Sequence, residues 1–250
     1  MTAPRIRPAP PEDAAAAPPA RKGSKDLPMT KSPSRAALVI FDCDGVLVDS
    51  EPIALRLLLE TLSEAGLSMD LDTATDRFLG RSLASTRAVL AEEFRVVLTD
   101  AALEDMRLRL YDAFRNELDP IAGVAETLPR LGAPFCVASS SQPERIALSL
   151  EVTGLLPAFQ GRIFSATEVA NGKPAPDLFL HAAARMGADP AACLVVEDSP
   201  AGVAAGKAAG MRVVGFVGGA HAGEPAHRRA LEALAPDAII ADMRDLPGLA

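Results

Sequence analysis

From residue 36 onward the chain alternates short runs of β-branched and aromatic residues with longer stretches in which apolar positions recur every three or four residues. Runs at 36–42, 134–139, 162–165, 193–197, 212–217 and 237–241 predict strands. Several are apolar throughout rather than alternating, the mark of strands buried on both faces. Helical periodicity at 123–131, 142–153, 176–187, 200–209 and 224–234 fills most of the gaps between them. Such alternation predicts right-handed βαβ units and an α/β fold with a Rossmann-like parallel sheet. One interval departs from the rhythm. Residues 52–119 carry no strand pattern but show helical periodicity throughout, clearest at 52–66, 83–94 and 100–117, too long for a crossover. They predict an all-helical domain inserted into a core made of 36–51 and 120–250. The insert leaves from the carboxyl end of the first strand, so it is expected to stand over the sheet edge where open α/β folds bind ligands, as a cap or lid.

Composition adds boundaries to this picture. At 49% hydrophobic and 23% charged over 250 residues the chain has ordinary globular values. Residues 1–35 hold eight of the 21 prolines and an alanine run at 14–17, which predicts a disordered extension, with Met29 a possible second start. No run of about 18 apolar residues occurs and no apolar segment follows the basic N-terminus, so neither a membrane span nor a secretory signal is expected. Cys43, Cys136 and Cys193 are widely spaced and odd in number, which fits no disulfide framework and suits the reducing cytoplasm. Seven basic and three acidic side chains give the first 35 residues a charge of +4, so the body carries −12 of a chain total of −8. A body so acidic argues against nucleic-acid and membrane partners, and an anionic substrate would need a local cation. Only two lysines, Lys173 and Lys207, lie in the body.

The first strand runs straight into Phe41-Asp42-Cys43-Asp44-Gly45-Val46-Leu47-Val48-Asp49-Ser50-Glu51. Carboxylates at i and i+2 share one face of a strand end. Two so close cannot both stay ionised cheaply, so a metal, a raised pKa or both are expected. A lone pair of this kind serves equally well as a polar strand end before a glycine turn. Three further segments accompany it: Val137-Ala138-Ser139-Ser140-Ser141, Asn171-Gly172-Lys173-Pro174-Ala175-Pro176-Asp177, and Val195-Val196-Glu197-Asp198-Ser199-Pro200-Ala201-Gly202.

In that order and spacing the four segments resemble the haloacid dehalogenase superfamily, in the branch related to β-phosphoglucomutase and phosphoglycolate phosphatase. The resemblance spans residues 36–250 and implies an enzyme working through an aspartyl phosphate with Mg²⁺. An aspartate is ionised at neutral pH and needs no base to attack phosphorus, so Asp42 is the expected nucleophile. Asp44 is the expected general acid and base, provided its surroundings raise its pKa. An aspartate at this second position favours phosphate esters over the halogenated or phosphonate substrates of other branches. Asp42 and Asp198, with the Asp44 backbone carbonyl, are the expected Mg²⁺ ligands, and Glu197 has a supporting or water-mediated role there. Ser139, with the backbone N–H groups that follow it and Ser140, is expected to hold the phosphate before a helix starting near Pro143. Lys173 is expected to contact phosphate and nucleophile.

The resemblance also aligns Gly80-Arg81-Ser82 with a substrate-specificity loop, which makes Gly80 and Arg81 substrate-binding candidates, although a solvated arginine after a turn glycine explains the same residues. His181, His221 and His227 have no metal-ligand spacing, and Asp49-Ser50 mark the hinge to the insert. No dinucleotide or P-loop glycine motif is present. The leading expectation is a Mg²⁺-dependent phosphomonoesterase acting on a small phosphorylated metabolite such as a sugar phosphate, as a monomer or weak homodimer. A β-phosphoglucomutase-like mutase is the rival, disfavoured because Leu83 stands where the mutase arginine aligns. A non-catalytic relative that binds a phosphorylated ligand is the third reading.

Overall fold

The computed structural model describes residues 35–78, 83–223 and 225–250. All of the expected N-terminal extension except Arg35 falls outside these residues, as do Gly80 and Arg81. Six strands, β1 (Leu38–Phe41), β2 (Phe135–Ser139), β3 (Ile163–Ser165), β4 (Cys193–Glu197), β5 (Arg212–Phe216) and β6 (Ala238–Ile240), form one sheet in the order β3-β2-β1-β4-β5-β6. Every pairing is parallel. The apolar runs form these strands because both faces are covered, and alternate side chains feed two separate cores. Val39 and Phe41 join Val137, Val196 and Val214 on one face, whereas Leu38 and Ile40 join Cys136, Val195 and Val213 on the other. Phe41 is fully buried and meets Phe135 and Phe159 edge-on at 6.3 Å. Truncating such a ring to alanine costs about 3–5 kcal/mol.

Helices α1 (Glu51–Glu64), α2 (Leu71–Phe78), α3 (Leu83–Glu93) and α4 (Asp100–Glu117) lie between β1 and β2. After them come α5 (Val124–Thr127), α6 (Pro143–Val152), α7 (Leu156–Phe159), α8 (Asp177–Met186), α9 (Pro200–Ala208) and α10 (Pro225–Ala233). The inserted helices share an apolar cluster of their own that includes Leu55, Leu62, Phe78, Leu90 and Leu103. The other face of α1 (Ile53, Leu57) and the end of α4 (Leu110, Phe114) belong instead to the core on the Phe41 side of the sheet. Helix α2 lies within the stretch whose periodicity predicts helix, and it packs Ala74 and Phe78 into the insert's cluster. The helix expected over 123–131 is cut at Thr127 and continues as a 3₁₀ turn, Leu128–Arg130, because Pro129 lacks the amide that an α-turn needs.

The two tethers of the insert are paired at its root. Asp49 N donates to Asp119 O at 3.0 Å and Ile121 N to Leu47 O at 2.9 Å, and Val48 bridges both Asp44 and Pro120. Among the described residues no helix is long and apolar enough to cross a membrane.

Candidate active site

The strand register sets out the site. The chain leaves β1 for β2 and β3 on one side and returns to β4 on the other, so the carboxyl ends of β1, β2 and β4 meet at the switch of direction where α/β sheets hold ligands. Phe41 pairs with Val137 and with Val196, which puts the next residue, Asp42, beside Ala138 and Glu197. Lys173 arrives from the segment before α8. Its Nζ donates to Asp42 Oδ1 at 2.7 Å, Glu197 Oε1 at 2.6 Å and Ala138 O at 3.0 Å. The ammonium's three donors are thus all used, and the side chain is only 5% exposed. Glu197 Oε2 accepts from the Ser199 amide and hydroxyl, both at 2.9 Å. Ser199 Oγ in turn caps α9 by accepting from Gly202 N at 3.0 Å.

One oxygen each from Asp42, Glu197 and Asp198 lies within 4.8 Å of the others, all three side chains being buried. Burial pushes the Asp42 carboxyl well above the ordinary carboxylate range; Lys173 opposes this, while Glu197, Asp198 and Asp44 add to it. Burial and then Glu197 do the same to Asp198 against the pull of Lys173. Carboxyls that resist ionisation beside a fully engaged lysine mark a shortage of positive charge, which a hard divalent cation would make good. Since both Glu197 oxygens are already committed to Lys173 and Ser199, Asp42 and Asp198 are the carboxylates that fit such an ion.

Asp44 differs from the expectation of a raised pKa. Burial again pushes it up, but Arg145 and the hydrogen bonds it receives outweigh burial and hold it below the ordinary range. Ser50 Oγ donates to its Oδ1 at 2.6 Å, Ser141 Oγ to its Oδ2 at 2.7 Å and Arg145 Nη2 to its Oδ1 at 2.8 Å. In this arrangement Asp44 is a clamped carboxylate. The guanidinium of Arg145 also lies over the Phe114 ring of α4, 5.4 Å from its centre.

Ser139 is buried at the end of β2, and its Oγ accepts from Ser141 N at 3.1 Å. Helix α6 begins at Pro143, where the sequence predicts it. Asp42, Asp44, Ser139, Ser140, Lys173 and Asp198 all line one cavity of about 1200 Å³. Leu83, Arg107 and Tyr111 of the inserted helices line it as well. Gly80 and Arg81 lie outside the described residues, so the structure places neither. Lys207 serves elsewhere: it donates to Ala235 O at 2.7 Å and to Leu234 O beyond the end of α10. His181 meets Glu168 at 3.3 Å and the Phe164 ring edge-on, away from the cavity.

Sequence reasoning missed four residues at the site. Arg145 could have been suspected from its place in the first turn of α6, where a cation opposes the helix dipole and needs another reason to be there. Ser141 and Ser50 were visible only as part of a serine cluster and a hinge. His221, whose Nε2 lies 2.8 Å from Asp198 Oδ2, carries no local signal.

The family model described as haloacid dehalogenase-like hydrolase matches residues 36–210. The chain is 34% identical over 189 residues to 6-phosphogluconate phosphatase of Escherichia coli (strain K12), an alignment covering 75% of this chain and 86% of that protein. It is 32% identical over 185 residues to fructose-1-phosphate phosphatase of the same organism, covering 72% and 96%. Among solved structures, a conserved haloacid dehalogenase-like protein of Agrobacterium tumefaciens str. C58 superposes with a TM-score of 0.76 at 37% identity, covering 86% of this chain and 97% of that one. The sheet order, the four segments around Asp42, Ser139, Lys173 and Asp198, and these matches agree: the chain belongs to the haloacid dehalogenase-like hydrolases.

Proposed function

We propose that the protein is a Mg²⁺-dependent phosphomonoesterase acting on a small phosphorylated metabolite of the sugar-phosphate class. The observation that carries this reading is the placement of Asp42 at the floor of the cavity, with its Oδ1 held by Lys173. That contact leaves Oδ2 to attack phosphorus. The P–O bond to the leaving group breaks as the Asp42–phosphorus bond forms, and water then cleaves the aspartyl phosphate to release inorganic phosphate. A cation held by Asp42 and Asp198 would neutralise charge on the transferring phosphoryl group. Lys173 keeps Asp42 oriented and offsets the repulsion between two anions, and Ser139 with the amides before α6 faces the phosphate oxygens.

The clamp on Asp44 suits the second half of this cycle, in which an ionised carboxylate takes a proton from the attacking water. For the first half, Asp44 protonates the leaving oxygen, which requires its contacts with Arg145 and the two hydroxyls to give way. Burial, already the largest influence on this group, then raises its pKa. The inserted helices act as a lid that excludes bulk water, and Leu83 on the cavity wall, where a mutase would carry arginine, supports hydrolysis. Three buried free thiols suit the cytoplasm, where we place the protein as a monomer or weak homodimer.

The test is phosphate release from the purified chain with Mg²⁺ across sugar and polyol phosphates, nucleotides, phosphoglycolate and an aryl phosphate. We expect turnover of at least one sugar or polyol phosphate and its loss in Asp42→Asn. Aryl phosphate turnover retained by Asp42→Asn sinks the nucleophile assignment. Isomerisation of glucose 1-phosphate, primed by a bisphosphate with little phosphate released, sinks hydrolysis in favour of the mutase.

A further inference from the structure

The turn after β5, Val217-Gly218-Gly219-Ala220-His221, folds back over the Asp42–Ser50 loop. Ala220 N donates to Asp49 Oδ1 at 3.1 Å, which fixes the turn against the root of the insert. His221 is delivered beneath it with a side chain only 3% exposed, its Nε2 2.8 Å from Asp198 Oδ2. Neither ring nitrogen has an aligned hydrogen-bond partner, and among the described residues Asp198 is the carboxylate in ion-pair distance of the imidazole. Buried imidazoles without a firm partner are costly, and a packing role alone would be filled better by leucine.

The backbone around the ring is built to admit it. A Cβ at Gly219 would stand 2.7 Å from His221 Cε1 and 2.8 Å from Nδ1. A Cβ at Gly45 would stand 2.8 Å from Cε1 and overlap the Asp198 carboxylate as well. Two glycines from distant parts of the chain therefore leave space for the same side chain. The His227 ring packs edge-on against it at 5.4 Å.

We propose that His221 is a positioning residue: its Nε2, 2.8 Å from Asp198 Oδ2 but not aligned on it here, turns its N–H onto that oxygen when the carboxylate's other oxygen faces the divalent cation. This rests on the reading of Asp42 and Asp198 as cation ligands. Groups that hydrogen-bond a ligating side chain set its orientation, and losing one typically weakens metal affinity by about 10–100-fold. The function requires a donor at the Nε2 position and not merely the ring's volume.

Substitution separates the two requirements. In His221→Gln the amide nitrogen reaches to about the Nε2 position, whereas in His221→Asn it stops near Nδ1 and cannot reach Asp198. Mn²⁺ affinity of the full-length chain, read by electron paramagnetic resonance of free Mn²⁺ without substrate, is the probe, with the melting temperature in chelator as a check on folding. We expect His221→Gln to stay within about threefold of wild type and His221→Asn to bind about 10–100-fold more weakly, at similar melting temperatures. Equal affinity in wild type and both variants overturns the proposal, as does an equal loss in both. No Mn²⁺ binding by the wild-type chain overturns the cation reading itself and this proposal with it, whereas normal wild-type binding confines any failure to His221.

Discussion

Replacing Lys173 by methionine removes a buried charge while keeping most of the side-chain volume, including the packing of its stem near Phe179, whose ring centre lies 4.9 Å from Nζ. The variant therefore reports electrostatics with little cavity cost. Lys173 makes ion pairs of 2.7 Å and 2.6 Å to Asp42 and Glu197, whose side chains are 11% and 0% exposed. Removing one member of such a buried pair costs about 3–5 kcal/mol. At about 2–4 °C per kcal/mol for a domain of this size, that is a fall of about 6–20 °C in melting temperature.

The loss must depend on pH. Asp42 and Asp198 already have raised pKa values in the fold, so each contributes stability that is present at low pH and fades as pH rises through its folded pKa. Without the lysine, which lowers both, that fading becomes steeper. Thermal melts in chelator should show wild type and Lys173→Met drawing together near pH 5 and far apart at pH 8. A constant gap across this range, or a variant as stable as wild type at pH 8, would show that Lys173 does not carry the charge balance of the site.

Arg145→Met should release Asp44 and raise its pKa, so hydrolysis of the aspartyl phosphate, which needs the ionised carboxylate, should lose more at pH 6 than at pH 8; a loss independent of pH would separate Arg145 from the role of Asp44. Glu51 faces the cavity, and burial, aided by Asp198 and Asp44, raises its pKa from 4.5 to about 7. A raised acid destabilises the fold as pH climbs past its unfolded value, here by about 3 kcal/mol in total. Glu51→Gln should accordingly flatten the decline in stability between pH 4.5 and 7 in chelator melts, and an unchanged slope would refute this. Gly202→Ala places a methyl group on the Glu197 carboxylate and should lower stability by about 1–3 kcal/mol, measured by urea unfolding.

Much of the core was legible because parallel strands buried on both faces write themselves as unbroken apolar runs. Leu38–Phe41 and Cys193–Glu197 are the clearest, and both fall within the predicted segments. The residues expected at the site from the four segments share one cavity, apart from Gly80 and Arg81, because carboxyl strand ends collect at one edge. Helix α2 fell within the stretch read as helical, but its bounds were not legible because an eight-residue segment depends on its neighbours for stability. Arg145 and the contact made by His221 were not legible for a related reason. Their partners, Asp44 and Asp198, are 101 and 23 positions away, and nothing in local spacing records a contact that only the sheet order creates. Whether the surroundings of Asp44 raise its pKa, the condition on its expected role, was not legible on the same grounds, since its burial was inferable and its three donors were not.

The pairing of the two tethers at Val48 carries a mechanical consequence. Because Val48 bridges both the returning chain at Pro120 and the backbone at Asp44, the insert cannot pivot about one connection while the other stays slack. Any torque on it is transmitted through a seven-residue ribbon from Ser50 to Asp44, whose far end also bears on Phe114 through Arg145. On the proposed function, admission of a guest molecule and the aim of the Asp44 carboxylate would thereby be geared to a single axis, so that a change in one would disturb the other.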